Sequence, residues 1–275
     1  MNEYIFLYFL GFFAILFAVF QDIRTREIAN WLTFSLIAFV LAYRAFYSIY
    51  FSDFMFFLYG ICGILLFVCL GYLFYYSRIF AGGDAKLLFG IGGIFPYSSW
   101  IDYFYYGVGF VSLLFISGII YTLIYSAFLV SRNYSFFKKC FSNEIHSKRY
   151  LFILSFIFSL LIVYSNLEFM FIIFSIFIFL TPLLFAYVRA IEKSCMIQFV
   201  SVDKLTEGDW LERDVIVNGK IIRKNFSGLT FKEILILRKA KKKVWIKTGV
   251  PFAPAFLIAF MLFFLFLRYS SWKFF

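Results

Sequence analysis

The stretch Phe80-Ala81-Gly82-Gly83-Asp84-Ala85-Lys86-Leu87-Leu88 decides how this chain is read. Two glycines precede a carboxylate, and the carboxylate opens an apolar segment that runs on to Phe95. An ionisable side chain at the mouth of such a segment is costly in lipid and is a functional candidate by default. Apolar runs flank it on both sides. The 275-residue chain is 64% hydrophobic and 15% charged, where a water-soluble domain carries about a quarter charged residues. The expected fold is therefore an all-α polytopic membrane protein of about eight transmembrane segments, with a small α+β cytoplasmic domain.

The spans are expected at 4–20, 33–51, 54–76, 84–95, 103–130, 150–164, 169–188 and 252–267. The fourth would cover roughly 18 Å, short of a ~30 Å bilayer core, and reads either as a half-helix starting inside the membrane boundary or as a segment extending through Pro96. Arg44 interrupts the second span and is expected to snorkel outward. Positive charge orients the array. Arg24, Arg26, Arg78 and the basic loop 131–149 fall on one side, whereas the loops on the other carry Asp53, Asp102 and Glu168 without lysine or arginine. The positive-inside rule makes the first side cytoplasmic. Arg268 and Lys273 in the tail depart from it. The net charge of +11 thus reads as basic loops facing anionic lipid, with no nucleic-acid partner expected. Residues 1–188 are read as a transmembrane catalytic core, 189–248 as a small cytoplasmic domain and 249–275 as a final span and tail. In the cytoplasmic part, Asn218-Gly219 between Val215-Ile216-Val217 and Ile221-Ile222 predicts a hairpin. Thr230-Phe231-Lys232-Glu233 predicts a capping box for a helix to about residue 243. Lys241-Lys242-Lys243 is expected to meet anionic headgroups.

Elimination among the fifteen acids leaves Asp22, Glu27 and Asp84 at the inner ends of membrane helices. Two carboxylates meeting in a low-dielectric site do not both ionise easily, so the pair retains a proton. The ionised member then takes a proton from water and the protonated one polarises a scissile carbonyl, which is aspartic protease chemistry. Gly82 and Gly83 would permit unusual backbone angles and the close approach of a peptide. The helix dipole makes Asp84, at a helix N-terminus, the expected base and Asp22, at a helix C-terminus, the expected acid. The bland readings are a helix cap for Asp84 and a charged membrane border for Asp22. His146, the only histidine, is expected to be solvated. The four cysteines form no C-x-x-C pair, and no P-loop, dinucleotide fingerprint or G-x-S-x-G appears. No metal or cofactor is expected.

At Asp22 and Asp84 together the chain resembles the type IV prepilin peptidase family, and its archaeal preflagellin peptidase branch in particular. Asp22-Ile23-Arg24-Thr25-Arg26-Glu27-Ile28-Ala29-Asn30-Trp31-Leu32-Thr33 resembles that family's first aspartate segment, and Gly83-Asp84-Ala85-Lys86-Leu87 its G-x-G-D-x-K-L segment. Ala81 stands where the pattern has its first glycine, and Ala29 where many bacterial members have proline. The resemblance implies that Asp22 and Asp84 are catalytic. It also implies that the substrates are prepilin or preflagellin precursors, cut on the cytoplasmic side below a basic leader. Without the paired-cysteine domain of many bacterial members, no methyltransferase activity is expected. Glu27 and Glu144 are the two inner-loop acids able to meet a basic leader, and Glu27 lies nearer the aspartate; the bland alternative pairs Glu27 with Arg24 or Arg26. Competing readings are another G-x-G-D intramembrane protease, an ion-path transporter, and a non-enzymatic membrane subunit.

Overall fold

The structure, a computed structural model, describes residues 2–165, 168–217, 219–225, 228–240 and 243–272. Asn218 of the expected hairpin turn, Lys241 and Lys242 of the lysine run, Asn166-Leu167 between the sixth and seventh spans, and Lys273 of the tail lie outside the described residues. The chain forms two compact units, residues 1–124 with 250–275 and residues 125–249.

The first unit contains α1 (Asn2–Thr25), α2 (Asn30–Phe51), α3 (Phe54–Tyr76), α4 (Gly82–Ile91), the greater part of α5 (Trp100–Arg132) and α10 (Ala253–Trp272). The turns between its first helices share one device. Arg26, Ser52 and Arg78 take positive φ values of 62°, 55° and 61°, so each reverses the chain just past a helix end. After Ser52, the Asp53 carboxylate accepts the Phe56 amide and caps α3.

The half-helix α4 packs against both α2 and α3. Contact with α3 is close because two glycines face each other: a Cβ on Gly63 would lie 2.4 Å from the Gly92 carbonyl oxygen, and one on Gly92 would lie 2.5 Å from that of Gly63. Where α4 ends inside the unit, its trailing carbonyls need donors. Arg44 supplies them. Its Nε donates to Gly93 O and its Nη2 to Phe95 O, while Nη1 donates to Phe56 O of α3, each at 2.7 Å. Arg44 is fully buried, with Phe56 and Tyr4 rings against its guanidinium. The expectation that Arg44 snorkels outward is therefore corrected. Two carbonyls beyond the end of α4, with that of Phe56 in α3 beside them, offer a better place for the charge than the longer reach to the membrane surface.

The second unit contains the remainder of α5, then α6 (Tyr134–Ser147), α7 (Arg149–Ser165), α8 (Phe169–Ile191) and a π-helical turn over Glu192–Met196. The basic stretch expected as a loop is thus mostly helical. Phe137 packs with Ala190 and Ile191 of α8, and Cys140 and Phe141 of the same helix lie against this cluster. Beyond α8, β1 (Ile197–Val200), β5 (Val244–Lys247) and β2 (Trp210–Leu211) form an antiparallel sheet in the order β1-β5-β2. The hairpin of β3 (Val215–Val217) and β4 (Lys220–Ile222) pairs Val217 with Lys220, as the turn residues predict. The capping box is present: Thr230 accepts the Glu233 amide and the Glu233 carboxylate accepts the Thr230 amide. The helix it starts, α9 (Phe231–Lys239), ends one turn earlier than expected. Leu211, Val217, Ile234, Leu237 and Ile246 build the small core between these strands and α9.

Among the described residues, five helices are long and apolar enough to cross a membrane, or six when α6 and α7, bent 65° at their junction, count as one broken span. The apolar part of α10, Ala253–Leu267, is shorter than these. The chain is thus a mostly helical, multi-pass membrane protein with a small strand-containing region.

Candidate active site

Asp22 lies in the last turn of α1. The helix ends there because Arg26 adopts the left-handed conformation and returns its amide to Asp22 O at 2.9 Å. Thr25 Oγ1 donates to Gln21 O, and the Gln21 side chain accepts the Ala29 amide at 3.0 Å, so the short link into α2 is tied down at both ends. Asp84 lies in the first turn of α4. Ala81 is the N-cap residue, and its amide donates to the Asp84 carboxylate, one half of a capping box. Both aspartates are buried, at 6% and 8% relative exposure, and stand within electrostatic reach of each other. Two elements far apart in the chain thus bring two carboxylates to one end of the first unit, away from bulk water, where their interaction is strong.

Gly82 and Gly83 lie in ordinary helical backbone, as the first residues of α4; positive φ among the described glycines occurs only at Gly208, Gly219 and Gly228. The expected unusual backbone angles are absent. The two glycines also differ from each other. A Cβ on Gly83 would lie 3.1 Å from Ile28 Cβ, so the α1–α2 link rests directly on its backbone. A Cβ on Gly82 would find only the Tyr75 ring, at 3.7 Å. Lys86 donates to the Asn30 side chain at 2.6 Å and ties α4 to the start of α2. Glu27 is exposed on the link between α1 and α2. Glu144 is not available to an incoming cation. It is buried and paired with Lys193 at 2.5 Å and Lys148 at 3.7 Å.

One participant has no counterpart in the sequence reading. The Ala253 amide donates to Asp22 Oδ2 at 2.8 Å, and the Phe252 amide donates to the same carboxylate. Asp22 therefore meets the N-terminus of α10 as well as the C-terminus of α1, and the dipole argument that separated the two aspartates no longer does so. Pro251 and Pro254 signal that a helix starts there. That its first amides reach Asp22 has no local signature.

Residues 8–130 match the model of the type IV leader peptidase family. The resemblance read from the two aspartate motifs is borne out over that stretch, which contains Asp22, Glu27 and Asp84. The family match ends before α6, and α10 lies outside it. Three similar proteins are preflagellin peptidases of archaea. That of Methanococcus maripaludis is 33% identical over 89 residues, 32% of this chain and 38% of the relative. That of Methanococcus voltae is 29% identical over 136 residues, 46% of this chain and 58% of the relative. That of Methanocaldococcus jannaschii is 28% identical over 89 residues, 32% of this chain and 38% of the relative. The chain thus spans less than two thirds of the length of each of these relatives.

Proposed function

We propose that this protein is a membrane-embedded aspartic endopeptidase that removes the leader from type IV prepilin-like or preflagellin precursors at the cytoplasmic face of the cell membrane. The observation that carries the reading is the convergence of two buried carboxylates, Asp22 from α1 and Asp84 from α4, inside the stretch that matches the family. Burial excludes competing solvent, and proximity makes the pair share one proton. A water held between them gives its proton to the ionised carboxylate as its oxygen attacks the scissile carbonyl carbon. The protonated carboxyl donates to the carbonyl oxygen. When the tetrahedral intermediate collapses, the C–N bond breaks and the amine leaves with the proton taken from water. No cofactor enters these steps.

In this reading the precursor's peptide passes Gly82, whose Cα face is unobstructed by close neighbours, and Gly83 keeps the roof formed by Ile28 close to the cut. Glu27 meets the basic leader, and the precursor's apolar helix lies in lipid against the spans. The eight-segment array counts α7 and α10 as further crossings and α4 as a half-helix that enters the membrane without crossing it. With residues 1–188 as catalytic core and 189–248 as cytoplasmic domain, it puts Asp22 and Asp84 at the inner membrane edge, in accord with the placement of arginine and lysine.

The test is co-expression with a preflagellin precursor, followed by a gel-mobility shift. Wild type should convert the precursor to a shorter form. Asp22→Asn and Asp84→Asn, which keep size and remove proton transfer, should each leave it uncut while still inserting in the membrane. Substantial cleavage by either variant would end the two-carboxylate reading.

A further inference from the structure

Backbone donors at the start of a helix lack partners within the helix. In α10 two of them, on Phe252 and Ala253, are used by Asp22. The proline pair suits this arrangement. Pro251 holds the preceding residue extended. Pro254 sits in the first turn, where its missing N–H costs nothing. No acidic residue of α10's own first turn competes for the donors. The carboxylate's charged neighbours are Asp84 from α4 and Arg26 from the end of α1.

A second contact links the same helix start to the other aspartate. Phe80 is buried, and its ring packs 5.5 Å from Phe252 and 5.7 Å from Phe256. Phe80 also precedes Ala81, whose amide holds the Asp84 carboxylate. The ring of Phe80 therefore joins the donors on the two aspartates: Phe252 and Ala253 on Asp22, and Ala81 on Asp84.

We infer that the N-terminus of α10 is a positioning element of the active site, orienting the Asp22 carboxylate toward Asp84 through two backbone amides and held in register by Phe80. A carboxylate on the last turn of a helix has two free side-chain torsions, and two converging amides fix both. The inference rests on the peptidase reading, and it brings an element outside the family-matched stretch into the site.

The test uses the full chain in liposomes and a preflagellin-type precursor. Ala253→Pro removes the N–H at the first helical position, where proline is sterically admitted, and should lower kcat about 10- to 100-fold with KM kept. Ala253→Gly retains the N–H and should recover most of the lost kcat. Phe80→Ala leaves every donor in place but loosens the seat of α10, and should lower kcat in the same sense. Equal losses in the proline and glycine variants, a rise in KM at unchanged kcat, or full turnover by folded Phe80→Ala would overturn the inference. A thermal-unfolding cycle of Asp22→Ala with Ala253→Pro reads the contact without activity. Strong non-additivity supports it and simple additivity overturns it. A wild-type chain that cuts no precursor would instead overturn the peptidase reading and leave the unfolding cycle to decide the contact.

Discussion

At the scale of single residues, the glycine pair shows how a motif divides into parts with different duties. Gly83 has Ile28 against it, with 3.1 Å left for a Cβ, whereas Gly82 has ordinary contact distance to Tyr75. Gly83→Ala should displace the α1–α2 link and lower thermal stability by about 1–3 kcal/mol, the usual penalty for overpacking. Gly82→Ala should leave stability within about 0.5 kcal/mol of wild type. If it nonetheless raises KM, the space over Gly82 belongs to the substrate; unchanged kinetics would remove Gly82 from the binding surface. Glu27 calls for a different measurement because it is exposed. Glu27→Gln should raise KM modestly with kcat kept, and less so when the leader's lysines are replaced, as expected for lost uniform binding. Equal effects on basic and neutral leaders would leave Glu27 a structural residue. Glu144, the other acid considered for this role, is excluded by its own ion pairs.

At the scale of elements, α4 is the unusual member. A ten-residue helix cannot span a ~30 Å core, and its end must find donors within the protein. Arg44 provides them, and the fit is tight: a Cβ on Gly60 would lie 2.1 Å from Arg44 Cδ. Arg44→Met should therefore destabilise the first unit by at least about 3 kcal/mol, since three buried carbonyls lose their donor. Arg44→Lys should recover part of this, because an ammonium cannot reproduce the planar fork. Unfolding in detergent micelles measures both. An Arg44→Met protein as stable as wild type would mean that water or another donor takes over these carbonyls. Because α4 carries Asp84 at its other end, activity should decline along with stability in this series. A selective change in KM is not expected.

At the scale of the whole molecule, the proposed orientation in the membrane rests on the one-sided distribution of lysine and arginine. Asn143 is exposed on α6, and an Asn143→Cys variant should react with an impermeant thiol reagent only after the cells are opened. Labelling of intact cells above the background of the native cysteines would invert the topology and put the carboxylates on the wrong side for a cytoplasmic leader. The same experiment tests the proposed placement of α6, which carries Lys138 and Lys139.

What sequence alone could determine was set by local chemistry. Apolar runs mark the membrane helices, and α3 spans the expected 54–76. Hairpin and capping-box signatures mark β3–β4 and α9, because turn and cap geometry depend on a few adjacent residues. The candidate pair Asp22 and Asp84 was also legible, since an acid at a membrane border is costly enough to stand out. The pairing of β1, β2 and β5, the helical state of the basic stretch, the burial of Arg44 and the amides of α10 on Asp22 were not. Each joins groups distant in the chain, and a backbone N–H or C=O looks the same in every residue until packing leaves it without a partner. Only the tertiary structure decides which side chain then satisfies it: an arginine for the end of α4, and Asp22 for the start of α10.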